Sequence, residues 1–209
     1  NKGEAIYADK VGVMLAREPK LRFVDMAHEV SAFQPIEAGF WMSRAVRYFA
    51  PGTLHVAVID PGVGTPRALM VALTQDQAIL APDNGLLAPL AARGHIDRLI
   101  RIEPTRLVQY GVSDISATFH GRDIFAPLAA ELAAGRCDPL DLGDELTGLN
   151  MSAWAATRAR ADGGIEIVQM KVCLSATRIA GIDVADELAL VDVGDLLREK
   201  GGVTAIIID

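Results

Sequence analysis

HVAVIDPGVGTPR, residues His55 to Arg67, decides how this 209-residue chain folds. His55 to Ile59 is an apolar, β-branched run of the kind that forms a buried strand, and it stops at Asp60-Pro61-Gly62, where turn residues take over. Pro61 keeps Asp60 out of the helical region, while Gly62 and Gly64 permit positive φ and a close backbone approach to a ligand. An acid therefore stands where a strand ends. In open α/β sheets ligands bind beyond the carboxyl ends of strands, which makes Asp60, the glycine-bearing loop and Arg67 a candidate site.

Two later stretches repeat the pattern. The apolar run Ala78 to Ala81 ends in Pro82-Asp83-Asn84-Gly85, and Ile115-Ser116-Ala117-Thr118-Phe119 reads as a third strand ending in His120 at the start of a helix. Asp-Asn-Gly is also a very ordinary turn, and Asp83 and Asn84 are read as that. Around these stretches strands and helices alternate. Ala5 to Arg17 and Ile36 to Phe49 have helical spacing, with Trp41 on a core face, and Phe23-Val24 is a short strand. Ala68 to Thr74 and Gln77 to Ala81 form a strand pair joined across Gln75-Asp76. Leu86 to Arg93 is a helix, Leu99 to Ile102 a strand, and Ile124 to Ala133 the clearest helix, closed by Gly135. The alternation predicts an α/β domain over residues 1–148, its largely parallel sheet flanked by helices. Residues 149–209 read as a smaller, incomplete β-rich domain containing the strand Thr204 to Ile208; the tail ADELALVDVGDLLREKGGVTAIIID resembles joined pieces of a longer segment.

Composition narrows the function. A hydrophobic fraction of 51% with 22% charged residues suits a globular protein. A net charge of −7 argues against general nucleic-acid binding. No apolar run approaches the ~20 residues of a membrane-spanning helix, and nothing at the start reads as a signal peptide, so the cytoplasm is the expected compartment. Asn1 in place of an initiator Met suggests that the true beginning lies upstream. Cys137 and Cys173 are read as free thiols, and His28, His55, His95 and His120 show no metal-ligand spacing, so no metal is expected. His28, in a polar turn, is read as structural.

IDPGVGTPR, APDNGLL and SATFHGRDIFAPLAAELAAG resemble the signatures of the S-adenosylmethionine hydroxide adenosyltransferases, relatives of the fluorinase and chlorinase enzymes. His28-Glu29-Val30 and Tyr48 to Thr53 fit the same family in order and spacing, so the likeness runs from about Ile6 to Gly148. It implies displacement at the ribose C5′ of S-adenosylmethionine by water, giving adenosine and methionine, with Asp60, Arg67 and His120 at the three catalytic positions. It further implies that Val63 and Thr118 line the nucleophile pocket, that Phe119 packs the ribose and that Phe33 lies over the substrate. No cofactor is implied beyond S-adenosylmethionine itself, and the expected assembly is a homotrimer with the site at a subunit interface. Water has a pKa of 15.7, so the site must take a proton or stabilise hydroxide; Asp60 and His120 are both able to, and the sequence does not choose between them. The family's opening Thr-Asp-Phe-Gly motif and its later Phe-Gly-Asn motif are missing. That leaves a non-catalytic module binding adenosine or S-adenosylmethionine as the alternative, with a halide adenosyltransferase the less favoured third, since Asp60 would repel a halide.

Overall fold

A computed structural model describes residues 2–28, 30 and 34–151, together with the backbone of five short strands between residues 158 and 208. In chain order the elements are α1 (Lys2–Arg17), β1 (Arg22–Ala27), α2 (Pro35–Ala45), β2 (Leu54–Ala57), β3 (Leu69–Leu73), β4 (Ala78–Pro82), α3 (Ala88–Ala92), β5 (Arg98–Arg101) and α4 (Ala126–Ala133). The pairs β6 (Arg158–Ala159) with β7 (Ile165–Glu166) and β8 (Arg178–Ile179) with β9 (Ile182–Asp183) follow, and then β10 (Thr204–Ile208).

Six strands make one sheet in the order β1-β10-β2-β4-β3-β5. The first four run parallel, whereas β3 is antiparallel to both β4 and β5, so the sheet is mixed rather than largely parallel. The reason is local. Thr74 and Gln77 close a tight turn through backbone and Thr74 Oγ1 hydrogen bonds, and a turn that short joins only antiparallel strands.

Thr204–Ile208 is a strand, as expected, but it belongs to this sheet rather than to a separate β-rich unit. It lies between β1 and β2, with Ala205 opposite both Phe23 and Leu54. Being paired along both edges, it is an interior strand of the sheet. The joined-segment reading of the tail and Cys173 fall outside the described residues, as does most of the segment proposed to follow residue 148. Ile115 to His120 is not a strand. Its serine turns the backbone inward: the Phe119 N–H donates to Ser116 Oγ at 3.1 Å, a local bond that competes with a ladder.

The strands alternate between two apolar clusters. Leu54, Val56, Val58, Val71 and Leu80 pack with Met14, Phe125 and Leu128 on the α1 and α4 side. Ala57, Ile59, Met70, Ala72 and Ile79 pack with Met42, Leu86 and Leu90 on the α2 and α3 side, where Trp41 lies partly buried as a core residue. Helix α2 starts with Pro35 in its first turn, and its Gly39 lies so close to the next layer that a Cβ there would overlap the Leu86 carbonyl. One polar pair interrupts the second cluster. His55, fully buried, donates from Nε2 to Gln77 Oε1 at 2.8 Å, and Gln77 Nε2 donates onward to the Phe49 carbonyl at 2.7 Å. Burial pushes the His55 imidazole down to about 4.

Two outcomes test this architecture. Ile206→Pro, which removes a ladder donor from an interior strand, should lower the unfolding free energy followed by tryptophan fluorescence by ~3 kcal/mol or more; an unchanged value would remove β10 from the sheet interior. His55 takes up a proton in the unfolded chain near pH 6.5 but in the folded one only near 4, so its contribution is complete above 6.5 and falls as pH drops toward 4. The loss should reach about 3 kcal/mol across that window, and His55→Gln should flatten the slope by about one proton.

Candidate active site

Strand β2 ends at Ala57 and carries the chain to Asp60 at the sheet edge where the parallel strands finish. From there two successive turns fold the loop back on itself: the Val63 N–H donates to the Asp60 carbonyl, and the Thr65 N–H and hydroxyl both donate to the Gly62 carbonyl. Residue 67 is thereby returned beside residue 60. Arg67 Nε donates to Asp60 Oδ1 at 2.6 Å, and Nη2 pairs with Oδ2, a side-on fork whose side chains are 9% and 5% exposed.

The third group arrives from a separate loop. Gly64 has φ of 79° and lies against Ala117, where an added Cβ would come within 2.6 Å of the carbonyl oxygen. The close approach expected of this glycine is thus to the second loop, and Gly62 has no positive φ. Asp123 fastens that second loop by accepting Arg122 Nε at 2.6 Å and the Ser116 N–H at 3.0 Å, which in that order hold its carboxyl down at about 2. His120 stands at the entrance to a π-helical turn, Gly121–Phe125, that leads into α4; such turns concentrate at functional sites.

Arg67 Nη2 lies 3.3 Å from His120 Nδ1. A guanidinium only donates, so Nδ1 accepts and the neutral ring carries its proton on Nε2. Burial first, and the Arg67 charge second, push the imidazole below its ordinary value, with Asp123 opposing. Arg67 therefore holds both candidate bases. Asp60 keeps lone pairs that the fork leaves unused, whereas the basic nitrogen of His120 is occupied. This arrangement favours Asp60 as proton acceptor and His120 as an Nε2–H donor.

A cleft of about 240 Å³ opens beside these groups, lined by Asp60, Val63, Thr118, Phe119 and His120. Phe119 is 46% exposed, with the Arg122 guanidinium 4.8 Å from its ring centre. Phe33 falls outside the described residues. His28 lies elsewhere, 3.5 Å from Asp25 and ring to ring with Tyr7. Asp9 and Lys10 also line the cleft and were not singled out from the sequence. Lys10 is only 3% exposed and shares a helical face with Met14, four residues on, so a lysine in an apolar register was the available signal. Its stem also explains Gly121, where a Cβ would meet Lys10 Cε at 2.7 Å. Among the described residues no group of three or more His, Cys, Asp or Glu is placed to hold a metal ion, and no helix is long and apolar enough to cross a membrane.

Residues 4–143 match the family model described as the SAM hydroxide adenosyltransferase N-terminal domain. The chain is 41% identical over 125 residues to an (R)-S-adenosyl-L-methionine hydrolase of Salinispora tropica, covering 59% of this chain and 46% of that one. A protein of the same name from Thermus thermophilus is 37% identical over 138 residues, covering 64% and 53%. The chain thus spans about half the length of the curated relatives it matches. Among solved structures, an uncharacterized conserved protein of Thermotoga maritima superposes with a TM-score of 0.66 at 34% identity, covering 73% of this chain and 56% of that one.

Gly64→Ala tests how the two loops meet. The left-handed backbone and the Ala117 carbonyl both oppose a methyl group, so stability should fall by about 1–3 kcal/mol and nitrogen NMR of His120 should show loss of the Nε2–H preference. A variant with unchanged tautomer would mean that the loops meet independently of this glycine.

Proposed function

The chain belongs to the S-adenosylmethionine hydroxide adenosyltransferase family, and from that premise we propose that it hydrolyses S-adenosyl-L-methionine to adenosine and L-methionine. The observation that supports this reading best is the convergence of Asp60, Arg67 and His120 on one another beside an open cleft.

In the proposed step a water oxygen forms a bond to the ribose C5′ while the bond from C5′ to the sulfonium breaks. Sulfur keeps the electron pair and leaves as neutral methionine, so no acid is needed at the leaving group. The burden falls on the nucleophile. Asp60 accepts the water's proton on a lone pair that Arg67 does not use and releases it afterwards to solvent. Arg67 keeps Asp60 ionised and favours a hydroxide-like nucleophile. His120 donates from Nε2 and orients the water, which must lie in line with C5′ and sulfur for attack. Val63 and Thr118 border the water pocket, and the exposed face of Phe119 packs the ribose. The reaction needs no cofactor beyond its substrate, and the assembly is proposed to be a homotrimer in which a neighbour completes the site.

The relatives are named for the R form of S-adenosyl-L-methionine, so each sulfonium epimer should be supplied separately. Adenosine should appear, and Asp60→Ala or His120→Ala should lower its rate by ~10²–10⁴-fold. Adenosine binding without turnover would instead favour a nucleoside-binding module. Because the His120 imidazole is pushed down and must stay neutral, the rate should be flat at neutral pH and decline only below about 6.5. A decline beginning above that value would contradict this role for His120.

A further inference from the structure

Asp83 and Asn84 sit just past the end of β4, in a turn whose letters suggest nothing beyond a change of direction. Their bonds say more. The Asn84 side-chain amide donates from Nδ2 to the Ile59 carbonyl at 2.8 Å, and the Asp83 N–H donates to the Ala68 carbonyl at 2.9 Å. Ile59 immediately precedes Asp60, and Ala68 immediately follows Arg67. One dipeptide therefore holds both ends of the loop that carries the carboxylate and the guanidinium. The Asn84 amide acts where the register pairs between β2 and β4 have already stopped, at Val56 and Leu80, and so extends their pairing with a side chain. Asn84 is itself fixed, because its Oδ1 accepts the Leu86 N–H at 3.3 Å.

We propose that Asn84 is a positioning residue for the reaction: its amide clamps the start of the 60–67 loop, with the Asp83 backbone clamping the end, so that the Asp60–Arg67 fork keeps its aim at the reacting water. The inference rests on the hydrolase reading only for its kinetic consequence. The clamp acts on His120 as well, through Arg67. The charged groups around that imidazole are Arg67 from the 60–67 loop and Asp123 from the turn below, with Asp60 held behind Arg67 and Asp9, Lys10 and Arg122 on the cleft wall.

The test is Asn84→Ala, which removes the donor facing Ile59 and adds no charge that could itself move the His120 titration. Relative to the folded fraction, kcat for S-adenosyl-L-methionine should fall by about 10²-fold while KM changes little, since misaiming the site by roughly 1 Å costs about that much. The acid limb of the kcat profile should move upward as Arg67 recedes from His120. A purely structural turn would lower the melting temperature and leave the KM, the kcat per folded molecule and the limb in place; that outcome overturns the proposal. A second measurement does not depend on the substrate. In the unliganded protein the His120 imidazole, followed by NMR, should titrate at higher pH in Asn84→Ala than in the parent, and coincident curves would overturn the clamp. If the parent releases no adenosine while the titration still shifts, the hydrolase reading fails and the clamp stands.

Discussion

A carboxylate and a guanidinium, each almost closed off from water, must satisfy one another or not be there at all. Burying either alone would cost several kcal/mol, so the Asp60–Arg67 fork constrains everything that brings those two side chains together. It requires a loop that returns on itself within seven residues, hence the paired turns at Val63 and Thr65. It requires the next strand to leave the same sheet edge at which β2 arrived, which is where β3 begins its antiparallel course. The exception to parallel order in this part of the sheet is thus the feature that lets donor and acceptor face each other.

The site gains its chemistry from what surrounds that pair. A guanidinium shared between a carboxylate and an imidazole sorts two possible bases by geometry alone, leaving one with spare lone pairs and the other with a proton to give. Both loops are held by close contacts, Gly64 on Ala117 between them and Asp123 on Ser116 within the second, while the layers beneath are largely apolar on both faces. Precision at the rim therefore rests on a rigid interior.

How much of this could be read beforehand differs by the range of the interaction. Strand β2, the β3–β4 hairpin and α4 announce themselves in local periodicity and turn chemistry, and the three chemical groups sit at the ends of runs that the eye finds directly. Ile115 to Phe119 misled because its apolar residues alternate like those of a strand, whereas a serine hydroxyl capturing a nearby N–H decides the backbone. The neighbours of β10 were invisible for a different reason: a parallel strand carries no local mark of the partners it will find. Asn84 looked like an ordinary turn residue because its partner, Ile59, lies 25 residues away, just past the end of β2.

The place of β10 has a consequence for the order of events at the ribosome. Strands β1 and β2 emerge early, yet the slot between them is filled by a segment translated long afterwards. Until then each presents an unpaired backbone edge, the surface on which chains most readily associate with one another. Closing the gap joins residues far apart along the polymer, which makes it a slow step by topology alone. Until that strand docks, the strand that delivers Asp60 has only one of its two neighbours.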